Sequence, residues 1–277
     1  MAHDTLIEVG QLVFHYRHWG TSDHQPILLL HGFLSQAHIW NNFALHICSH
    51  YHVLALDQRG HGESEWARDG AYSLDDHFSD ISTFIELLDL KDLIIIGHSM
   101  GGRNALFYTA CAPERIKGLV LVDARPGNTE MSMAALKDLL DGFRPEPKTL
   151  NDFVQGARSR YPHLSLKNTI DIINSGCEQV SDKLIPRYDP ALIRGVELAG
   201  YMVEELWPFM EGIICPTLVI RGERSTFLSR HEAEMMSNLI PKGELVEIPR
   251  TSHLPMLENA AAFKKAVLSF LDQLSSV

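Results

Sequence analysis

One pentapeptide, Gly97-His98-Ser99-Met100-Gly101, constrains the fold of this chain more than any other segment. It follows the apolar run 93–96, which predicts a buried strand, and it precedes residues 102–112, which predict a helix that ends at Pro113. A turn this tight between strand and helix leaves no room for side chains at its two outer positions, and glycine removes the clash. Ser99 is therefore expected at the tip of the strand, beside the positively polarised N-terminus of the helix.

Three further segments place polar residues directly after apolar runs. In chain order they are His31-Gly32-Phe33 after the run 27–30, residues 57–64 after the run 53–56, and His253 after the run 245–248. Together with the pentapeptide, these segments resemble the α/β-hydrolase family in their order and spacing. The resemblance covers the chain except for residues 126–210, and the joint match is far more specific than any single segment.

The resemblance and the alternation of strand and helix patterns imply the same fold class. We expect an α/β protein with a mostly parallel eight-stranded sheet of α/β-hydrolase type, covered by helices on both faces. Residues 1–125 and 211–277 are expected to form this core. The alternation stops at residue 126, and up to residue 210 the chain is amphipathic, interrupted by prolines and predicted helical. In the family an insertion after the sixth strand is a lid over the active site.

Composition limits the partners of the chain. The formal net charge of −11 over 277 residues disfavours binding to nucleic acid or to an anionic membrane surface. No apolar run approaches the length of a membrane span, and the first residues lack the pattern of a secretion signal. The four cysteines are scattered, which favours reduced thiols in the cytoplasm. The expected partner is a small molecule, and the oligomeric state is left open.

Ser99 and His253 are the candidates for nucleophile and base. A serine hydroxyl is a poor nucleophile near neutral pH and needs a base within hydrogen-bond reach, which in turn needs an orienting acid. His253 lies after the last predicted strand, where the family has its catalytic histidine. His98, His31 and His61 are interpreted as structural.

The acid departs from the pattern that most of the family shows. Most members have an aspartate just after the seventh strand, where this chain has Ser225. Asp123, at the end of the sixth predicted strand, offers a carboxylate on the other side of the histidine loop. A subgroup of family esterases uses that position and has a basic residue after the pentapeptide, matched here by Arg103. Asp123 is the predicted acid, and Glu223 is the alternative.

Two backbone N–H groups are expected to stabilise the negative charge that develops on a substrate carbonyl oxygen. They belong to Met100, which follows the nucleophile, and to Phe33, which follows His31-Gly32. Residues 57–64 are interpreted as loop architecture. No metal site and no cofactor are expected, since the chain has neither an H-E-x-x-H motif nor a phosphate-binding loop.

The insertion bears on the substrate. Its apolar and aromatic residues predict an acyl pocket in part: Met131, Met133, Phe143, Phe153, Tyr161, Tyr188, Met202, Trp207, Phe209 and Met210. An arginine that entered the cleft would favour a substrate carboxylate, and the candidates are Arg144, Arg158, Arg160, Arg187 and Arg194.

The leading hypothesis is a serine hydrolase that cleaves a small-molecule carboxylic ester, thioester or lactone through an acyl-enzyme. Three alternatives stay open: a cofactor-free C–C bond hydrolase of a vinylogous keto-acid, a haloperoxidase or perhydrolase, and a non-catalytic ligand receptor. A nucleophilic serine disfavours the epoxide hydrolases and dehalogenases of this fold, which use an aspartate.

Overall fold

A computed structural model describes residues 2–127, 130–142, 146, 148–199 and 205–275. In chain order its strands are β1 (His3–Val9), β2 (Leu12–Trp19), β3 (Gln25–Leu30), β4 (Tyr51–Leu56), β5 (Leu93–His98), β6 (Ile116–Val122), β7 (Cys177–Val180), β8 (Lys183–Pro186), β9 (Thr217–Gly222) and β10 (Gly243–Ile248). Its α-helices are α1 (Asn41–Ile47), α2 (Leu74–Leu87), α3 (Met100–Cys111), α4 (Glu130–Gly142), α5 (Leu150–Arg160), α6 (Leu166–Gly176), α7 (Pro190–Ala199), α8 (Arg230–Leu239), α9 (Pro255–Glu258) and α10 (Ala260–Ser275).

The central sheet confirms the predicted fold class. It has eight strands in the order β1-β2-β4-β3-β5-β6-β9-β10. Strand β2 runs antiparallel to β1 and to β4, and all the other neighbours are parallel. The carboxyl ends of β3, β5, β6, β9 and β10 therefore meet at one edge, where an open α/β sheet holds its ligands.

Side chains of the central strands pack alternately into two cores, one on each face of the sheet. On β3, Leu28 and Leu30 belong to one core, and Ile27 and Leu29 belong to the other. All four are fully buried. A strand that is covered on both faces reads as a continuous apolar run, which is why these strands could be predicted from the sequence.

The inserted segment between β6 and β9 differs from its prediction in one respect. Besides the helices α4 to α7 it contains an antiparallel hairpin, β7–β8, within the region predicted to be helical. The hairpin strands are four residues long, too short to show an alternating pattern, and the turn between them uses Ser181 at φ +58° in place of a glycine. The role of the segment as a lid stays a prediction.

The loop 57–64 fastens the inserted segment to the core. The Gly62 N–H donates to the carbonyl oxygen of Arg187 at 2.8 Å, and the Asp189 N–H donates to that of Gly60 at 2.8 Å. Asp57 in turn accepts from the backbone N–H of Ala37 at 2.6 Å. These bonds agree with the interpretation of the loop as architecture.

Among the described residues, no helix combines the length and the apolar content that crossing a bilayer requires.

Close backbone approach explains the two glycines that flank Ser99. A Cβ at Gly101 would lie 2.5 Å from the carbonyl oxygens of His31 and Leu30, and a Cβ at Gly97 would lie 2.3 Å from the carbonyl oxygen of Gly101. These neighbours are backbone atoms, which have little freedom to move away.

We therefore expect Gly101→Ala to lower the free energy of unfolding by about 2 kcal/mol or more, as overpacking of a tight site does. The matched control is Gly156→Ala on α5, where an added Cβ meets no atom within 4 Å. Alanine there should leave stability unchanged or raise it by up to about 1 kcal/mol. Urea denaturation followed by circular dichroism measures both, and equal midpoints for Gly101→Ala and the wild type would contradict the packing argument.

Candidate active site

Ser99 sits in a strained turn between β5 and α3. Its backbone has φ +51° and ψ −117°, a conformation that residues other than glycine rarely adopt. Its N–H donates to the carbonyl oxygen of Val122 at 3.0 Å, which ties the turn to the end of β6. Strain of this kind persists where the surrounding structure enforces it, and it is concentrated at functional sites.

His253 lies between Ser99 and Asp123. One ring nitrogen, Nε2, is 3.1 Å from Ser99 Oγ, and the other, Nδ1, is 2.7 Å from Asp123 Oδ2. An ionised carboxylate only accepts hydrogen bonds, so Nδ1 carries the proton and Nε2 presents its lone pair to the hydroxyl. The structure thus brings the three predicted residues together, in the order that a nucleophile, its base and an orienting acid require.

The end of β6 positions Asp123. The residue has φ +45°, and its N–H donates to the carbonyl oxygen of Ile220 on β9 at 2.7 Å. Its side chain is buried, and Oδ1 accepts from the backbone N–H of Gly222 at 3.0 Å. Hydrogen bonds to β9 therefore fix the position of the carboxylate independently of its hydrogen bond to His253.

Glu223, the alternative acid, lies elsewhere. Its side chain is exposed, and Oε2 accepts from the backbone N–H of Arg250 at 2.6 Å. The Nδ1 atom of His253 is bonded to Asp123 instead.

Ser225 is a site residue that the sequence analysis missed. Its hydroxyl lies 2.5 Å from Asp123 Oδ2, and its oxygen accepts from the backbone N–H groups of Phe227 and Leu228 at 3.1 and 3.2 Å. Because those two donors face the oxygen, the hydroxyl proton is directed to the carboxylate. The serine at the position where most of the family has an aspartate thus holds the carboxylate of Asp123, the predicted acid. In the sequence, the only signal of this role is the serine at position 225, where most of the family has an aspartate.

We expect Ser225→Ala to lower kcat about three- to tenfold with little change in KM, because the carboxylate loses one of its hydrogen-bond donors. Ser225→Thr keeps the hydroxyl and should stay within about twofold of the wild type. Steady-state kinetics on an activated ester measures both. Equal losses in the two variants would mean that the site responds to packing and not to the hydroxyl.

Neighbouring side chains hold the His253 loop. The ring of Phe227 stacks on the imidazole of His253, with centroids 4.0 Å apart and planes inclined by 21°. The carboxylate of Glu258 accepts from the Ser252 hydroxyl at 2.8 Å. His98 Nε2 lies 2.7 Å from the carbonyl oxygen of His253, to which it donates.

The three histidines interpreted as structural are all buried. Burial lowers the pKa of His98 and of His31, and it lowers the pKa of His61 to about 3. His31 Nδ1 donates to the carbonyl oxygen of Gly32 at 2.8 Å, and its Nε2 accepts from the N–H of Gln58 at 3.0 Å. Neutral imidazoles of this kind organise the loops around Ser99.

Of the two residues predicted for the oxyanion hole, Met100 directly follows Ser99 and Phe33 lines the same cavity. Met100 is the first residue of α3, where backbone N–H groups have no acceptor inside the helix. Phe33 belongs to the loop after β3, and the Gly32 backbone is so close that an added Cβ would lie 3.1 Å from Ser99 Cβ. This arrangement is compatible with two donors beside the hydroxyl, and the oxyanion role stays a prediction.

Ser99 and His253 line a cavity of about 120 Å³ between the sheet edge and the inserted segment. Most of its walls are apolar, and the insertion contributes Leu136, Phe153, Tyr161, Leu164, Ile173 and Tyr188.

The other apolar residues predicted for the pocket fall into three groups, of which the last lies outside the described residues. Met210 is buried in one of the two sheet cores, where Trp207 packs against it, and Phe209 contacts Phe107. Met133 packs against a cluster that includes Phe33 and Tyr188. Phe143, Met202 and the side chain of Met131 lie outside the described residues.

The candidate arginines of the insertion lie at its surface or in ion pairs. Arg187 pairs with Glu63 and Arg160 with Asp138, each at 3.1 Å. Arg158 and Arg194 are exposed. Arg144 lies outside the described residues.

A family model for the alpha/beta hydrolase fold matches residues 25–260. The chain belongs to the α/β-hydrolase family. This α/β-hydrolase is 25% identical over 270 residues to a 2-(acetamidomethylene)succinate hydrolase of Mesorhizobium japonicum, covering 96% of the chain and 94% of the relative. It is also 25% identical over 276 residues to a 2-hydroxy-6-oxononadienedioate/2-hydroxy-6-oxononatrienedioate hydrolase of Escherichia coli K12, covering 95% and 93%.

The fold has a close counterpart among solved structures. A crystal structure of E-2-(acetamidomethylene)succinate hydrolase superposes on this α/β-hydrolase with a TM-score of 0.87 and 24% identity, over 98% of this chain and 100% of that one. This likeness shows the fold. The relatives as a group support hydrolase chemistry, and they act on different substrates.

Proposed function

We propose that this α/β-hydrolase cleaves a carboxylic ester, thioester or lactone of a small molecule through an acyl-enzyme on Ser99. The observation that carries the proposal is the hydrogen-bonded series from Ser99 Oγ through His253 to Asp123, at 3.1 and 2.7 Å, beside an apolar cavity. A nucleophile, a base and an orienting acid in this order form the recurring machinery of acyl transfer.

Acylation uses each residue in a defined role. Ser99 Oγ attacks the carbonyl carbon while His253 Nε2 accepts the hydroxyl proton, and the carbonyl electrons move to oxygen. The N–H groups of Met100 and Phe33 stabilise that oxyanion, a contribution of about 3 kcal/mol per donor. When the tetrahedral intermediate collapses, the leaving alkoxide or thiolate takes the proton from His253. Asp123 keeps the imidazole in its tautomer and stabilises the transient imidazolium.

Deacylation repeats the sequence with water. His253 Nε2 accepts a proton from the water as its oxygen attacks the acyl carbon. The second intermediate expels Ser99, which recovers its proton from His253. The products are a carboxylic acid and an alcohol or thiol.

A second candidate is a C–C bond hydrolase, which would use the same three residues. It is favoured by the relatedness to the Escherichia coli oxononadienedioate hydrolase and by Arg125, which lines the cavity as a cationic group for a substrate carboxylate.

Partitioning of the acyl group tests the leading proposal. Hexanoyl esters of three different alcohols should be hydrolysed, and added methanol should divert product to methyl hexanoate. If all three esters pass through one acyl-enzyme, the ratio of methyl ester to free acid is the same for each. A ratio that depends on the leaving group would contradict a shared acyl-enzyme. Turnover of a vinylogous keto-acid alone would favour the second candidate.

We further propose that a small molecule is the partner of this site and that the chain works in the cytoplasm. The cysteines Cys48, Cys111, Cys177 and Cys215 are free thiols, which supports a reducing compartment.

A further inference from the structure

We infer that the cavity takes an uncharged, apolar acyl chain longer than acetyl, an inference that rests on the proposed acyl-enzyme. Phe153 and Ala157 on α5 and Ile172 and Ile173 on α6 line the same cavity as Ser99. Phe153 and Ile173 are buried and pack together in one cluster. An apolar acyl chain bound there would leave water and contact aliphatic and aromatic side chains, which is favourable.

Two neutral polar side chains of the lining, Gln36 and Thr169, already have partners inside the protein. The Gln36 side chain donates to Ser175 Oγ at 2.8 Å and accepts from the His38 N–H at 2.6 Å. The Thr169 hydroxyl donates to the carbonyl oxygen of Ser165 at 2.9 Å. These groups are directed at their own helices and loops, so a polar chain would gain little from them.

Positive charge in the described lining comes from Arg125, which directly precedes the insertion. Its guanidinium donates to the carbonyl oxygen of Gly127 at 2.7 Å, and its own carbonyl oxygen accepts from Arg103 at 3.2 Å. The walls on α5 and α6 place apolar groups around the rest of the cavity. The described lining residues on α5 and α6 include no cationic side chain, so the carboxylate of an acyl chain that reaches these helices would be desolvated there without an ion-pair partner.

A matched pair of substrates tests the inference on the unmodified protein. p-Nitrophenyl hexanoate and the mono-p-nitrophenyl ester of adipic acid have acyl chains of equal length and differ in the terminal carboxylate. We expect kcat/KM to be about a hundredfold or more higher for hexanoate. Across acetate, butyrate and hexanoate, kcat/KM should rise by about fourfold for each methylene that is buried.

A variant whose pocket is partly filled by a larger side chain gives a second test. Ala157→Trp places an indole at the wall and should lower kcat/KM for hexanoate at least about tenfold, a larger loss than for acetate, whose acyl group is too short to reach the wall. Ser159→Trp is the matched control, since Ser159 is an exposed small residue on the same helix. It should keep the wild-type chain-length profile. Covalent labelling of Ser99 by a fluorophosphonate reports whether each variant is folded and competent.

The outcomes separate this inference from the proposed function. Labelling of Ser99 with a flat chain-length profile, or with adipate equal to or better than hexanoate, overturns the inference and leaves the acyl-enzyme standing. Neither labelling nor turnover of any ester overturns the proposed function itself. A preference for hexanoate that Ala157→Trp removes and Ser159→Trp keeps supports the assigned pocket.

Discussion

Asp123→Asn is expected to lower kcat by about 10⁴, the size of the loss when a serine protease loses this carboxylate to an amide. Asparagine fits the same space but presents an amide to Nδ1 of His253, 2.7 Å from the present carboxylate oxygen. It neither fixes the tautomer that activates Ser99 nor stabilises the imidazolium. KM should change much less, because the Asp123 side chain is buried behind His253 and would not contact a substrate bound at Ser99.

Glu223→Gln is the control for that variant. It also turns a carboxylate near the end of β9 into an amide, but Glu223 is exposed and bonded to the Arg250 N–H. We expect kcat within about threefold of the wild type, as for a surface substitution away from the reacting groups. Steady-state kinetics on one p-nitrophenyl ester measures both variants. Near-normal turnover of Asp123→Asn, or a larger loss for Glu223→Gln, would contradict the assignment of the acid.

The arrangement around Asp123 also suggests a rescue. The Ser225 hydroxyl lies 2.5 Å from the carboxylate oxygen that contacts His253. Ser225→Asp in the Asp123→Asn background therefore brings a carboxylate to the position that most of the family uses. We expect the double variant to recover part of the lost kcat. A double variant no faster than Asp123→Asn would show that the loop at position 225 does not present its side chain to His253.

Ser99→Ala is expected to lower kcat by about 10⁵ to 10⁶. Without the nucleophile, His253 and Asp123 cannot contribute, and only substrate binding and the oxyanion donors still accelerate the reaction. Stability should change little, since alanine keeps the backbone and removes only a hydroxyl whose partner is His253 at 3.1 Å. Ester hydrolysis and thermal unfolding of the same preparation give the two quantities.

Ser35→Ala provides the matched serine control. Ser35 lines the same cavity, while the His253 ring nitrogens bond to Ser99 and Asp123. It should retain turnover within about threefold, because its hydroxyl has no part in the acyl transfer. Comparable losses in Ser99→Ala and Ser35→Ala would mean that the cavity, and not one nucleophile, limits the reaction.

Long periodic elements could be predicted from the sequence almost to the residue. The helix predicted over residues 102–112 is α3, Met100–Cys111, and a capping box between Ser73 and Asp76 marks the start of α2 at Leu74. The apolar run 93–96 lies within β5. The hydrophobic periodicity and the capping residues of such segments are local in the sequence, so these segments can be predicted without knowledge of their tertiary contacts.

The hairpin β7–β8 and the role of Ser225 could not be predicted from the sequence. The hairpin strands are too short for a period, and their turn lacks a glycine or asparagine signal. The hydroxyl of Ser225 meets a carboxylate 102 residues away. The sequence shows a serine at position 225 where most of the family has an aspartate, but a contact between residues so far apart in the chain leaves no local sequence pattern.

Residue-specific labelling with a fluorophosphonate is the most direct test of the central claim, that Ser99 is the nucleophile of an acyl-transfer site. We predict a single adduct per chain, located on Ser99 by peptide mass spectrometry, with loss of ester hydrolysis in proportion to labelling. Asp123→Asn should be labelled much more slowly and Glu223→Gln at the wild-type rate. Ester hydrolysis that persists in fully labelled protein, or an adduct on any residue other than Ser99, would contradict the account.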